Sequence, residues 1–167
     1  MYDFAIVGGG IVGLSTSMAL GERYPKAKIL VLEKENQVAF HQTGNNSGVI
    51  HSGVYYKPGS FKAKFSREGC RSMVKFCQEH GIDHEVCGKV IVATSPEELP
   101  RLENLYKRGL ENGLEVRRIT SEEVKEKEPH VASVAGIWVS STGIVNYKQV
   151  CQKYAEIIQK QGSEIKF

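Results

Sequence analysis

Tyr2-Asp3-Phe4-Ala5-Ile6-Val7-Gly8-Gly9-Gly10-Ile11-Val12-Gly13 opens the chain, and its reading decides the fold class. Tyr2 to Val7 is a short, mostly apolar run that reads as a buried strand. Leu14 to Arg23 reads as an apolar helix stopped by Pro25, and Lys28 to Glu33 as a second strand. Gly8, Gly10 and Gly13 give the spacing G-x-G-x-x-G between strand and helix, and Glu33 lies 20 residues past Gly13. Strand, glycine turn, helix, strand and acid in this order form the dinucleotide-binding βαβ fingerprint. Gly8 lets the chain turn tightly out of the strand, Gly10 lets a pyrophosphate approach the backbone, and Gly13 lets the helix pack closely on the strand. The unpaired N–H groups at the helix start suit phosphate. Glu33 can accept hydrogen bonds from ribose hydroxyls, and its charge would repel a 2′-phosphate, which disfavours NADP. A glycine triplet alone could be a turn that binds nothing; the full setting argues against that.

Outward from this stretch, 167 residues suffice for one domain plus a small second one. Charged residues make up 25% and hydrophobic ones 41%, as in ordinary globular proteins. A net charge of +3 is too weak to argue for a nucleic-acid partner. Cys70, Cys77, Cys87 and Cys151 have no C-x-x-C spacing and do not cluster with histidine, so neither a metal site nor a disulfide framework is expected, and a reducing compartment fits. The first strand begins at residue 2, which leaves no room for a signal peptide ahead of it, and no apolar run reaches membrane-spanning length. The expected location is cytoplasmic, with peripheral contact at the inner face of the cell membrane left open.

A second informative segment runs His41-Gln42-Thr43-Gly44-Asn45-Asn46-Ser47-Gly48-Val49-Ile50-His51-Ser52-Gly53-Val54-Tyr55-Tyr56. Its glycines, asparagines and hydroxyls suit a loop whose backbone comes close to a ligand. This segment and the Lys57-Pro58-Gly59-Ser60 that follows it, with the N-terminal turn and Leu32-Glu33-Lys34-Glu35, resemble the L-2-hydroxyglutarate oxidase/dehydrogenase family, FAD enzymes of the D-amino-acid-oxidase-like superfamily. The similarity continues through Cys87-Gly88-Lys89, Ile91 to Thr94, Lys127-Glu128-Pro129 and Thr142 to Val145.

The resemblance implies FAD rather than NAD, held by Gly8, Gly10, Gly13, Glu33 and Lys34, with Thr43, Asn46, Ser47 and Gly48 lying against its pyrophosphate and ring. It implies oxidation of L-2-hydroxyglutarate, a small 2-hydroxy acid, to 2-oxoglutarate by hydride transfer to the flavin, with oxygen or a membrane quinone as electron acceptor. His51 has two readings: a histidine that only packs locally, or the catalytic group that takes the substrate hydroxyl proton. The implied fold is α/β, a Rossmann-like FAD-binding domain with an inserted α+β substrate-binding cap, truncated. The FAD-binding domain takes residues 1–83 and 143–167, and the cap residues 84–142. Members of that family run to well over twice this length. An N-terminal portion, inactive by itself, is therefore expected. A related FAD oxidoreductase acting on another 2-hydroxy or amino acid, and a non-catalytic nucleotide-binding fragment, are the alternatives.

Further expectations concern local structure. Ser60 caps a helix from Phe61 to His80, with Phe61, Phe65, Met73, Phe76 and Cys77 on its buried face. Lys57, Lys62 and their neighbours form a solvated basic face more readily than a dicarboxylate site. Val86 to Thr94 is one strand. Ser95, Pro96 and Glu98 make a capping box for a helix with a stripe of Leu99, Leu102, Leu105, Tyr106 and Leu110, worth about 1 kcal/mol at Ser95. Thr120 and Glu123 make a second box, Ala135 to Ser140 is a strand with Trp138 in the core, and a final helix runs to about Gln161 before a strand at Glu164.

Overall fold

A computed structural model describes all residues, Met1–Phe167. By contacts the chain divides into two units. One comprises Met1–Gly48, His80–Asp83 and Asn146–Phe167; the other comprises Val49–Glu79 and His84–Val145. The boundaries expected from the sequence place 49–79 with the nucleotide-binding part, whereas by contacts those residues group with 84–145.

The first unit is built on a three-stranded parallel sheet. Strand β1 (Phe4–Val7) leads into helix α1 (Ile11–Arg23), which returns to β2 (Ile29–Leu32). Helix α5 (Tyr147–Lys160) leads into β9 (Glu164–Lys166), and the sheet order is β1-β2-β9. Phe4 stands opposite Ile29, Val7 opposite Leu32, and Leu30 opposite Glu164. β2 lies between its two neighbours, and Ile29, Leu30 and Val31 are all buried, as a parallel strand covered on both faces requires. α1 packs on α5. The expected α5 stripe is the buried one, with Val150, Cys151, Tyr154 and Ile158 inside. Asn146 caps α5, its Oδ1 accepting from the Lys148 and Gln149 amides. α1 starts one turn earlier than the apolar run suggests, because Gly10 serves as its N-cap.

The second unit holds two antiparallel three-stranded sheets. One is formed by β3 (Val49–Ile50), β8 (Gly143–Val145) and β4 (His84–Glu85), in the order β3-β8-β4. The other is formed by β5 (Lys89–Ala93), β7 (Ala135–Val139) and β6 (Val116–Ile119), in the order β5-β7-β6. The single strand expected from Val86 to Thr94 does not form. Gly88 takes φ +75 between β4 and β5, and a side chain there would overlap the Trp138 ring. Helix α3 (Leu99–Glu111) covers the face of β5-β7-β6 that carries Ala93 and Ile137, with Leu102, Leu105 and Tyr106 against them. Helix α4 (Ser121–Lys127) covers the other face. There Val124 and Ile119 crowd Gly136, and the Lys127 ammonium lies 3.9 Å above the Trp138 ring.

Two expected stripes shift. Along α3, Leu99 and Leu110 are exposed, while Leu102 and Gly109 are buried, so the sheet-facing row is Leu102, Leu105, Tyr106 and Gly109. Along α2 (Phe61–His80), the buried residues are Ala63, Cys70 and Cys77. Phe61 and Phe65 stack on each other, with 75% and 61% of their surfaces exposed.

Caps separate into one that differs and two that agree. At Ser95 no side-chain cap forms, and the first turn, Pro96–Glu98, is 3₁₀. Glu98 reaches past Ser95 to accept from the Thr94 amide at 2.7 Å and its hydroxyl at 2.9 Å. Ser60 caps α2 through the Ala63 amide at 3.2 Å. Thr120 and Glu123 form the full reciprocal box. Thr120→Ala removes it and is expected to lower stability by about 1 kcal/mol. Chemical denaturation reads this directly, and an unchanged midpoint would count against the cap.

Candidate functional site

In the first unit the glycine turn is shaped by hard contacts. Gly8 takes φ +109, a value that side chains resist, and its amide donates to the Leu32 carbonyl at 2.7 Å. A Cβ on Gly13 would overlap the Gly8 carbonyl oxygen, so α1 sits as close to the turn as a glycine permits. Gly10 offers no capping side chain. The Ile11 amide donates to Thr43 Oγ1 at 3.2 Å, and a Cβ on Gly10 would stand 3.2 Å from that same hydroxyl. The start of α1 is therefore lined by backbone amides and one hydroxyl rather than by bulky groups. That is the environment a phosphate needs. Val7 and Val12 flank it, both largely exposed.

Glu33 lies beside this turn. Its Oε2 accepts from the Gly9 amide at 2.6 Å, and its Oε1 accepts from the Glu35 amide at 3.0 Å. The Glu35 amide, helped by those of Gly9 and Lys34, holds the carboxyl below its usual range despite partial burial. Two bonds leave an ionised carboxylate with free lone pairs for hydroxyl donors. Lys34 extends into solvent and pairs with Glu35 at 3.6 Å, and Glu35 also meets His41 Nε2 at 2.7 Å.

The loop that follows is held by its own amides. Asn45 Nδ2 donates to the Phe40 and His41 carbonyls, and Asn46 Nδ2 to those of Gln42 and Thr43. Asn46 Oδ1 accepts from the Gly48 amide at 2.7 Å. Asn46 thus shapes the loop, while Ser47 is exposed. Gly8, Gly10, Gly13, Glu33 and Thr43 come together. Asn46, Ser47 and Gly48 lie at the far end of the same loop, and the exposed Lys34 ammonium pairs with Glu35.

His51 belongs to the second unit. It follows β3, keeps an exposed face, and its carbonyl accepts from Ser66 Oγ at 3.3 Å. Partial burial, and then the charge of Lys89, push its pKa below the ordinary imidazole value. The ring is therefore neutral, and able to accept a proton, at neutral pH. Ser52, next to it, is buried and hydrogen-bonded to Thr142 Oγ1 at 3.1 Å. Lys57 and Lys62 are exposed, as a solvated basic face predicts. Sequence reasoning passed over Lys89, although its signal was legible: a lysine in phase with Ile91 and Ala93 in an otherwise apolar strand.

A parallel βαβ sheet with this turn defines a dinucleotide-binding unit. The chain belongs to the FAD dependent oxidoreductase family, whose profile matches residues 3–167. It is similar to the L-2-hydroxyglutarate dehydrogenase of Indibacter alkaliphilus, with 54% identity over 98% of this chain and 41% of that protein. It is also similar to the mitochondrial L-2-hydroxyglutarate dehydrogenase of Homo sapiens, with 49% identity over 98% of this chain and 36% of that protein. The chain thus spans roughly two fifths of the length of these curated relatives. Among solved structures it is similar to the dithionite-reduced L-alpha-glycerophosphate oxidase from Mycoplasma pneumoniae with FAD bound. That match has a TM-score of 0.90 and 27% identity, over 99% of this chain and 44% of that one. Glycine oxidase from Geobacillus kaustophilus shares the fold, with a TM-score of 0.86 at 22% identity over 99% of this chain and 46% of that one. No helix is long and apolar enough to cross a membrane.

Proposed function

We propose that the whole protein carrying this sequence oxidises L-2-hydroxyglutarate to 2-oxoglutarate with FAD as cofactor. The observation that carries the reading is the identity of about half of all residues, over essentially the whole chain, to L-2-hydroxyglutarate dehydrogenases. The glycine turn supports it independently, because a helix start whose N-cap glycine lends no side chain, beside an amide-held carboxylate, fits a pyrophosphate and an adenosine ribose. When bound, FAD supplies the acceptor for the hydride that leaves the substrate α-carbon. Gly8 and Gly13 shape the turn and bring α1 close to it, Gly10 gives the pyrophosphate room, and the amides at the start of α1 face it. Glu33 orients the ribose, with Lys34 next to it at the rim. Thr43, Ser47 and Gly48 present hydroxyls and backbone to the cofactor from a loop that Asn46 holds in shape. His51, neutral at pH 7, takes the proton of the substrate hydroxyl.

In this reading residues 84–142 form part of the substrate-binding cap, and electrons leave to oxygen or to a quinone at the inner face of the cell membrane. A reducing, cytoplasmic setting is supported by four free cysteines. Three of them are buried, and burial pushes the Cys151 thiol up to about 12.

The test is turnover by the purified whole protein with a dye acceptor, on a panel of L-2-hydroxyglutarate, L-α-glycerophosphate, glycine and D-amino acids. Oxidation of L-2-hydroxyglutarate is expected. Oxidation of another member of the panel without it would overturn the substrate, and absence of a flavin from the gently isolated protein would overturn the cofactor.

Glu33 gives a separate check. Glu33→Gln keeps the shape and, through its one oxygen, one of the two amide contacts, but removes the other and the charge that ribose hydroxyls meet. FAD affinity is expected to fall about 10- to 100-fold, the range of a charge-assisted hydrogen bond. Because the folded carboxyl is held low, the ionised form and the affinity of the unsubstituted protein persist below the ordinary carboxyl pKa, about 4.3. Fluorescence titration of the apoprotein measures both, and an affinity unaffected by the substitution would remove Glu33 from the site.

A further inference from the structure

Lys89 opens β5 opposite Val139, and Val139 stands opposite Val116. Residues paired across an antiparallel ladder share a face, so Lys89 lies on the face that carries the Val54, Leu114 and Val139 cluster. Its ammonium stands 4.5 Å from the centroid of the Tyr55 ring. None of the ion pairs in the chain involves it. Burial lowers its pKa, as expected for a cation partly withdrawn from water without a counter-charge.

The segment facing it is held firmly. Arg108 Nη1 donates to the Tyr55 carbonyl at 2.9 Å. Asn112 Nδ2 donates to the Gly53 carbonyl at 3.3 Å and the Tyr56 carbonyl at 2.9 Å. Ser66 holds the His51 carbonyl. A half-buried cation therefore faces a braced loop that presents a phenol and a neutral imidazole within reach of its field. The apolar neighbours on its sheet face supply no anion, and a ligand carboxylate would balance the charge while Tyr55 covers it.

We propose that Lys89 binds the carboxylate of the 2-hydroxy acid adjacent to the hydroxyl that His51 deprotonates, with Tyr55 packed against the ammonium. The inference rests on the oxidation of a 2-hydroxy acid proposed above. Lys89→Met and Lys89→Arg in the whole flavin-loaded protein test it, alongside calorimetric binding of glutarate, which keeps the carboxylates and lacks the oxidisable hydroxyl. In Lys89→Met, the KM and the glutarate Kd are expected to rise together, about 10- to 100-fold, with kcat much less affected. Lys89→Arg is expected to recover most of the loss. In the unsubstituted protein, saturating glutarate is expected to slow chemical acetylation of Lys89, read by mass spectrometry, whatever the folding of the variants. A Lys89 acetylated at the same rate with and without glutarate, or a Lys89→Met protein with unchanged KM and Kd, overturns the proposal. If the panel selects a different carboxylic acid, the L-2-hydroxyglutarate reading fails on its own. The same variant measured with that acid then still decides the role of Lys89.

Discussion

His51→Asn is expected to lower kcat of the whole protein by about 10²- to 10⁴-fold, the range for loss of a general base. FAD content should be retained. The side chain of His51 has no structural partner among the chain's hydrogen bonds; what the structure holds at this residue is its carbonyl, through Ser66. Asparagine keeps a polar group of similar reach and leaves that backbone contact intact. A histidine that only packs would show the opposite pattern, with lower stability and little change in kcat once the protein is folded.

The pH profile sharpens this. A base must be unprotonated in the free enzyme, so kcat/KM rises with pH through the His51 pKa and then levels. Partial burial and Lys89 both lower that pKa, which places the acid limb below the ordinary imidazole value, about 6.5. Removing the Lys89 charge takes away one of the two causes, so Lys89→Met is expected to move the limb toward higher pH. In His51→Asn the limb disappears. A limb that survives in His51→Asn would assign the proton to another group.

The βαβ core was legible because its signals are local and mutually consistent. An apolar run meets a glycine turn, the turn opens a helix, and Pro25 ends it; each local preference agrees with the fold. The Thr120–Glu123 box was legible for the same reason, since all of its bonds lie within four residues. What escaped depends on partners distant in sequence. β3, β4 and β8 have two or three residues each, too few to show any period, and exist only because they pair with one another. The break at Gly88 is set by the ring of Trp138, 50 residues on. Helical spacing places Phe61 and Phe65 on an apolar face of α2, but the residues buried along it are Ala63, Cys70 and Cys77. The Ser95 box has the right residues, yet Glu98 finds the Thr94 amide and hydroxyl instead. Composition shows a donor-rich loop, but not that the Asn46 side chain bonds the loop's own backbone.

Gly13→Ala and Gly10→Ala are expected to fail in different ways. At Gly13 the added methyl would overlap the backbone oxygen of Gly8, which cannot swing aside as a side-chain tip can. Either α1 lifts from the turn or the turn opens, and both disturb the packing of Leu14, which is fully buried. A loss at the upper end of the overpacking range, about 3 kcal/mol, is expected in thermal or denaturant unfolding, with FAD binding lost along with the packing. At Gly10 the methyl would meet only the Thr43 hydroxyl, at 3.2 Å, and a small side-chain shift relieves that. Stability should change by less than about 1 kcal/mol. The methyl would nevertheless stand at the start of α1, where a pyrophosphate has to approach the backbone, so FAD affinity should drop by about 100-fold or more. Measured together, the pair separates a glycine needed for the fold from one needed for the ligand. A Gly10→Ala protein that binds FAD as tightly as the unsubstituted one would mean that the turn does not hold the diphosphate. The function proposed above would then have lost its structural support, whatever the sequence identity to other dehydrogenases.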